Sequence, residues 1–285
     1  MTIYIVAHIR GNHKRKTAKS GFFNILNYLK LRPKGKYMSY VLDKYVFDDS
    51  IEYEYKFKGE YGSKGEKRSK KAPPTPEQRE RQNQKVREKK MRRLIKANFK
   101  EGDLWITLKY PKGTKKTMSE VKKDISGFLK NLRRKYKKAE RPLKFIYRIE
   151  IGRQGGVHIH MIANRISNAD KMIQDTWKHG RVSFEHMYDS EGFRKLAAYI
   201  VKKTNIDNIP KSQQKDLTKY SSSRNLIRPV PERKKYRRRT VRKLITSELT
   251  PTKGYYIDKN SIEKGINPFT GMSYLYYTEY KLKGG

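Results

Sequence analysis

The stretch FIYRIEIGRQGGVHIHMIAN, residues 145–164, has the alternation of two β-strands joined by a glycine-rich turn. In its second half apolar residues alternate with His158 and His160, so both imidazoles project from one face of a strand. Glu150 lies on the first strand. Two imidazoles and one carboxylate suit a divalent cation and leave open coordination positions for a substrate. The stretch therefore predicts a β-hairpin with a candidate metal site.

Other interpretations of these residues stay open. Gly155 and Gly156 favour a tight turn that places the two strands side by side. Gln154 in that turn and His186 further along the chain are alternative ligands. The two histidines of the motif are also compatible with a strand surface that binds no metal, and Glu150 with an ordinary strand position.

A tyrosine follows on a predicted helix, SEGFRKLAAYIVKK, residues 190–203. Tyr199 lies about 100–120° from the centre of the apolar stripe of this helix, so it can leave the core and face the sheet. Lys202 and Lys203 follow one turn later and can reach the same phosphate. The pattern predicts Tyr199 as a nucleophile with two catalytic lysines. A packed aromatic and solvated lysines are the alternatives, since the chain has 21 tyrosines.

Three blocks carry a resemblance to a known superfamily: LWITLKYP (104–111), VHIHM (157–161) and AAYIVKK (197–203), in this order. They resemble the HUH endonucleases, and among these the rolling-circle replication initiator (Rep) proteins of phages, plasmids and integrative elements. The resemblance covers about residues 95–205. It implies Mg²⁺ or Mn²⁺ at Glu150, His158 and His160, and a covalent 5′-phosphotyrosyl DNA intermediate. Lys203 stands where two-tyrosine members have a second tyrosine, so the chain resembles a one-tyrosine enzyme.

The composition predicts a polyanionic partner. The chain of 285 residues has 69 Lys+Arg against 28 Asp+Glu, a formal net charge of +41. Such an excess suits phosphate binding and makes nucleic acid the expected partner. With no cysteine, disulfides and thiolate zinc sites are excluded. No long apolar run or signal peptide is evident, so we expect a cytoplasmic protein of a prokaryotic host that binds no membrane.

The order of elements predicts an α+β fold. We expect a central antiparallel sheet with helices packed on one face, HUH endonuclease-like, plus basic N- and C-terminal extensions. The predicted regions are a small β-containing region (1–61), a basic linker and helix (62–97), the HUH nuclease core (98–205), and a basic arm with a β-hairpin region (206–285). Capping boxes at Thr75 and Thr117 predict helices over about 75–97 and 118–137.

DNA contacts are predicted where basic residues are dense, above all in the arm 219–243. On the strand 104–111 a structural role of the threonine is the alternative to a DNA contact. The candidate DNA-binding residues are Thr107, Lys109, Arg133, Arg134, Arg224, Lys234, Lys235, Arg237, Arg238 and Arg239.

Three functional hypotheses follow. The first is an endonuclease that nicks single-stranded or hairpin origin DNA and starts rolling-circle replication. The second is a conjugative relaxase or single-strand transposase with the same chemistry. The third is a basic DNA- or RNA-binding protein without activity. The sequence has no Walker A or GxGxxG motif, so we expect a host helicase and polymerase as partners and no small-molecule cofactor.

Overall fold

Two antiparallel sheets organise the chain. The computed structural model describes residues 40–58, 73–152, 155–187, 193–202, 217, 219–236, 238–267 and 271–282. The strands are β1 (Tyr40–Val46), β2 (Ser50–Phe57), β3 (Leu104–Lys109), β4 (Phe145–Ile151), β5 (Val157–Ala163), β6 (Arg181–His186), β7 (Tyr220–Ser222), β8 (Glu232–Tyr236), β9 (Tyr255–Ile257), β10 (Glu263–Asn267) and β11 (Met272–Lys281).

The helices begin and end close to where the sequence places them. Both predicted capping boxes form: the Thr75 hydroxyl accepts from the Gln78 amide, and the Thr117 hydroxyl accepts from the Glu120 amide. The helices are α1 (Pro76–Lys96), α2 (Met118–Lys138), α3 (Ala169–Thr176), α4 (Arg194–Val201) and α5 (Arg238–Thr246), with a 3-10 turn at Lys259–Ser261. The α+β class and the antiparallel sheets are thereby confirmed.

The central sheet has the strand order β6-β3-β5-β4-β7. One of its faces packs against α2 and α3, and the stripe of α2 predicted from its spacing is buried there. Burial of each large apolar side chain contributes about 1.5–3 kcal/mol to the free energy of unfolding. The opposite face packs against α1 and α4 through Ile146 and Ile162. The prediction of helices on one face only is therefore wrong, because every second residue of β4 and β5 at this end is apolar too.

The second sheet, here called the terminal sheet, joins the two ends of the described chain. Its order is β10-β11-β2-β1-β8, with β9 also paired to β11. The predicted hairpin near the C-terminus is confirmed as β10 and β11. The segment 219–243, predicted as a DNA-contacting arm, instead supplies β7 to the central sheet and β8 to the terminal sheet. Its charge density misled that prediction, because Arg233 is neutralised by the buried carboxylate of Asp43 at 2.6 and 2.9 Å.

A buried group of ion pairs fastens α1 to the terminal sheet. The Arg93 guanidinium donates to Glu52 and to Glu54, each at 2.8 Å. Lys89 adds a second cation at 2.9 Å from Glu54. These cations hold the pKa of the Glu54 carboxyl at about 2 despite its burial, which by itself raises the pKa. Helix α1 also packs against α4, so it connects the terminal sheet to the helix that carries Tyr199.

Within the described residues, no helix has the length and apolar character that crossing a bilayer requires.

Candidate active site

The two histidines project from the same face of the central sheet, as the alternation predicts. The apolar residues between them point into the core formed with α2 and α3. Across the hairpin, Glu150 lies opposite His158 and Arg148 lies opposite His160. Four functional side chains therefore share one end of one face. Sheet register alone brings together the carboxylate and the imidazoles.

The predicted glycine-rich turn closes this hairpin. The Gly152 amide donates to the Gly156 carbonyl at 2.8 Å, and the Gly155 amide donates to the Gly152 carbonyl at 2.9 Å. Gly155 has φ of +78°, in the left-handed region that favours glycine. The turn thus fixes the register that places Glu150 beside His158. Gln154, the alternative ligand, lies outside the described residues.

Tyr199 reaches from α4 onto this group of side chains. Its hydroxyl donates to Glu150 Oε2 at 2.8 Å and lies 2.9 Å from His160 Nε2. The indole of Trp105 packs edge-on against the phenol, with ring centroids 5.5 Å apart. Burial, and then the hydrogen bond to the Glu150 carboxylate, raise the pKa of Tyr199 well above its usual value. The phenol is therefore protonated at neutral pH, with a proton acceptor already in contact.

Lys202 ends α4 and turns back to the same carboxylate. Its ammonium donates to Glu150 Oε1 at 2.7 Å and lies 4.1 Å from the centroid of the Tyr199 ring. Burial raises the pKa of Glu150, but the hydrogen bonds from Lys202 and Tyr199 outweigh it and lower the pKa overall. Glu150 is thus an ionised acceptor shared by both groups. Lys203, the other predicted catalytic lysine, lies outside the described residues.

Arg148 anchors the C-terminal end of α4 to the sheet. The side chain is only 2% exposed. Its Nη1 donates to the carbonyls of Tyr199 (2.9 Å), Ile200 (3.1 Å) and Lys202 (3.1 Å). These carbonyls belong to the last turn, where a helix has no internal donors left. A cation there also complements the negative end of the helix dipole.

His160 is held between Thr107 and Trp105. The Thr107 hydroxyl lies 3.2 Å from His160 Nδ1, and the indole of Trp105 stacks on the imidazole at 5.5 Å with an interplanar angle of 11°. Burial lowers the pKa of His160 to about 4, so the ring is neutral at physiological pH. Burial and the nearby Lys109 also lower the pKa of His158. Neutral imidazoles are the form that coordinates metals.

The donor set fits a divalent cation in its chemistry. It has two neutral imidazoles and one ionised carboxylate, and His160 Nε2 lies 3.3 Å from Glu150 Oε2. The rings of His158 and His160 are 6.2 Å apart between centroids. Among the described residues, no three His, Asp or Glu side chains are gathered as a metal site. Tyr199 and Lys202 contact the carboxylate oxygens that a cation would use.

The predicted DNA-binding residues fall in three places. Lys109 is exposed beside the site, across from His158. Thr107 is buried against His160, and its contact with DNA stays a prediction. The exposed residues away from the site are Arg133 and Arg134 on α2, Arg224 after β7, and Lys234 and Lys235 on β8. Arg238 and Arg239 lie in α5, and Arg237 falls outside the described residues.

Two other histidines take no part in the site. His186, the reserve ligand, lies at the far end of β6, and its Nδ1 is 3.1 Å from Arg165. His179, expected at a helix end, lies just beyond α3, with Nε2 3.6 Å from Asp124. Their positions leave His158 and His160 as the histidines of the site.

Sequence reasoning missed Arg148 and Trp105. A signal existed for Arg148, since it occupies the same face as Glu150 two residues earlier on an otherwise apolar strand. Trp105 shares its strand face with Thr107 in the same way. Both lie on the face that faces α4, so the alternation that located the histidines also indicated them.

Comparison with known families points to the same segment. Residues 103–205 match the family model described as Replication-associated protein ORF2, a rolling-circle replication initiator family. This segment resembles a Rep protein. The match contains all of the site: β3, the hairpin of β4 and β5, and α4. It confirms the Rep-type resemblance predicted from the three blocks. No curated protein and no solved structure gave a significant match.

Proposed function

We propose that this protein is a site-specific single-strand DNA endonuclease and strand transferase that initiates rolling-circle replication. One observation carries the proposal: the Tyr199 hydroxyl contacts both Glu150 and His160, at 2.8 and 2.9 Å. The candidate nucleophile and two candidate metal ligands thus meet at one point. The match of residues 103–205 to a replication-associated family supports this proposal.

The chemistry is a transesterification. The Tyr199 oxygen attacks a DNA phosphorus atom and forms a phosphotyrosyl bond, while the bond from phosphorus to one sugar oxygen breaks. The departing oxygen takes up a proton and becomes a hydroxyl. A DNA hydroxyl later attacks the same phosphorus in the reverse sense, which releases Tyr199 and rejoins a strand. The bond energy is kept throughout, so no nucleotide cofactor is needed.

The proton of Tyr199 has a defined path. The phenol already donates to Glu150 Oε2, so this carboxylate is the acceptor nearest to the nucleophile. Lys202 lies on the other oxygen of Glu150 and close to the phenol ring, where its charge stabilises the developing phenolate. Its ammonium is also placed to contact a phosphate oxygen. Arg148 keeps Tyr199 and Lys202 in register with the strand that bears Glu150.

Glu150, His158 and His160 would hold a divalent cation, Mg²⁺ or Mn²⁺. Such a cation, when bound, polarises the scissile phosphate and offsets charge in the transition state. His160 Nε2 can serve as a ligand in one tautomer only. In that tautomer Nδ1–H donates to the Thr107 oxygen, whereas the present contact with Tyr199 has Nε2–H donating to the phenol oxygen. The Thr107 hydroxyl supports either tautomer, since it both donates and accepts.

Single-stranded or hairpin origin DNA is the proposed substrate, and a host helicase and polymerase are proposed partners. The net charge of +41 suits phosphate binding. A relaxase or a single-strand transposase would use the same chemistry in another pathway. The family match favours replication over these two.

Covalent adduct formation tests the proposal. Labelled single strands of the protein's own genetic element would be incubated with the protein and Mn²⁺ or EDTA, then resolved on denaturing protein gels. We expect a Mn²⁺-dependent adduct that Tyr199→Phe abolishes and His158→Ala/His160→Ala reduces by orders of magnitude. The matched control is Tyr220→Phe, an exposed tyrosine on β7 across from Arg148, which should react as the wild type. DNA binding without any adduct on the whole element strand would favour a non-enzymatic binding protein.

A further inference from the structure

A basic cleft lies at the end of the central sheet away from Tyr199. Its cavity of about 860 Å³ is formed between the C-terminal end of α2, the loop before β4 and the turn after β7. Four cationic side chains line it: Arg133, Lys137, Arg141 and Arg224. We call it the rim cleft. We propose that the rim cleft binds the phosphodiester backbone of DNA flanking the nick, as a second anchor for the substrate.

Charge is the first argument. The lining contains a single carboxylate, that of Glu140. Within the described part of the chain, none of the four cations forms an ion pair with it or with any other carboxylate. Elsewhere this chain neutralises clustered cations, as around Glu52 and Glu54 beside α1. Cations that converge on a cavity without counter-charge are placed for an anion from outside, and phosphates are the groups that Arg and Lys contact on nucleic acids.

Preorganisation is the second argument. The turn that carries Arg224 is fixed to the start of β4. The Ser223 amide donates to the Phe145 carbonyl at 2.9 Å, the Phe145 amide donates to Ser223 Oγ at 3.1 Å, and Asn225 Nδ2 donates to the Leu143 carbonyl at 3.1 Å. On the other wall, Arg133 packs over the Phe145 ring at 5.3 Å. Two segments distant in sequence are thus held at a constant separation, as a binding cleft requires.

Distance is the third argument. The rim cleft begins at Phe145 and the candidate active site at Glu150, on the same strand, so about 17 Å separates them at ~3.3 Å per residue. A stacked DNA strand covers that span with about five nucleotides, at ~3.4 Å each. One DNA molecule can therefore contact Tyr199 and the rim cleft together. The inference rests on the proposed function in that the ligand is the DNA that Tyr199 cuts.

Salt dependence of binding tests the cleft. Lys137→Gln/Arg224→Gln removes two of its charges and leaves Arg133 on Phe145. The matched control, Lys123→Gln/Lys130→Gln, removes two exposed charges of α2 outside the cleft. With a long single strand, we expect the cleft variant to lower the slope of log K against log[salt] by about 1.4, and affinity on the order of tenfold near 0.15 M salt. Equal losses in both variants would overturn the proposal, because the cleft would then contribute only diffuse charge.

Strand length separates this proposal from the proposed function. With oligonucleotides too short to span both places, the cleft variant should form the Tyr199 adduct at the wild-type rate. If wild type forms no adduct, the nuclease proposal fails while the salt slopes still report on the cleft. Because the chain has no cysteine, Lys137→Cys can carry an iron chelate that cleaves nearby nucleic acid. Cleavage at least about five nucleotides from the nick is expected; cleavage at the nick, or of RNA in preference to DNA, would overturn the assignment.

Discussion

Nη1 of Arg148 lies 2.9 Å from the carbonyl oxygen of Tyr199, so the strand that bears Glu150 holds the helix that bears the candidate nucleophile. The same nitrogen also contacts the carbonyls of Ile200 and Lys202. The relative position of nucleophile, carboxylate and lysine therefore depends on one buried guanidinium. This makes Arg148 a positioning residue, because it acts on the reaction through the backbone of Tyr199.

Arg148→Met should separate positioning from binding. Loss of the guanidinium leaves three carbonyls without this donor, which costs about 1–3 kcal/mol of unfolding free energy. A displacement of Tyr199 by about 1 Å lowers the adduct rate on the order of a hundredfold. Single-turnover adduct rates and DNA affinity would be measured together. Arg148→Lys should recover part of the rate, since an ammonium still donates. A rate that falls only in proportion to DNA affinity would contradict the positioning role.

Thr107→Val should weaken the response to metal. The valine cannot hydrogen-bond His160 Nδ1, so nothing selects the tautomer that exposes Nε2 to a cation. Loss of such an orienting partner typically lowers metal affinity about 10–100-fold. The measurement is the Mn²⁺ concentration that gives half-maximal adduct formation, which should rise by about tenfold or more. Thr107→Ser keeps the hydroxyl and should behave as the wild type. An unchanged Mn²⁺ response in Thr107→Val would remove this residue from the site.

Lys202→Met should move the acid limb of activity to higher pH. Burial raises the pKa of Glu150, and Lys202 is the first of the contacts that lower it. The carboxylate form accepts the Tyr199 proton, so activity falls as pH drops through the pKa of Glu150. Without Lys202 that pKa rises, and the loss of activity begins at a higher pH. The pH profile of the adduct rate tests this against Lys195→Met, an exposed lysine of α4. An unshifted profile with a lower plateau would assign Lys202 to phosphate binding alone.

Glu54→Gln should remove part of the stability at neutral pH. The pKa of Glu54 is lowered in the folded protein from 4.5 to about 2. Its contribution, about 3 kcal/mol, is thus fully present above pH 4.5 and is lost as pH falls towards 2. Denaturant unfolding from pH 7 to pH 3 should show a weaker pH dependence in Glu54→Gln than in the wild type. Glu248→Gln, an exposed control, should leave the curve unchanged. Parallel curves for wild type and Glu54→Gln would show that Glu54 does not contribute this stability.

Features set by neighbouring residues could be predicted from the sequence. The capping boxes at Thr75 and Thr117 start helices because their partners lie three residues away. The alternation around His158 and His160 fixes which face they occupy, since strand geometry has a period of two. The meeting of Tyr199 with Glu150 followed from that face together with the family resemblance. These inferences needed no knowledge of how distant segments pair.

Features set by distant pairing could not be predicted. Strand β2 pairs with β11 across more than two hundred residues, and neither segment encodes its partner. The helix-covered second face of the central sheet was missed for a similar reason, since α1 looks too polar to pack until Arg93 meets Glu52 and Glu54. Arg148 was overlooked because its partners are backbone carbonyls of α4, which leave no trace in residue type.

The most direct measurement is the mass of one tryptic peptide. With 21 tyrosines in the chain, a covalent adduct must be mapped to be assigned. Cleavage after Lys195 and Lys202 releases the peptide LAAYIVK, residues 196–202, which contains Tyr199 as its only tyrosine. After reaction with the element's single strand and Mn²⁺, followed by nuclease trimming, we predict that this peptide carries a nucleotide through a phosphotyrosyl bond. An adduct on any other peptide, or none while the DNA is cleaved, would contradict Tyr199 as the nucleophile.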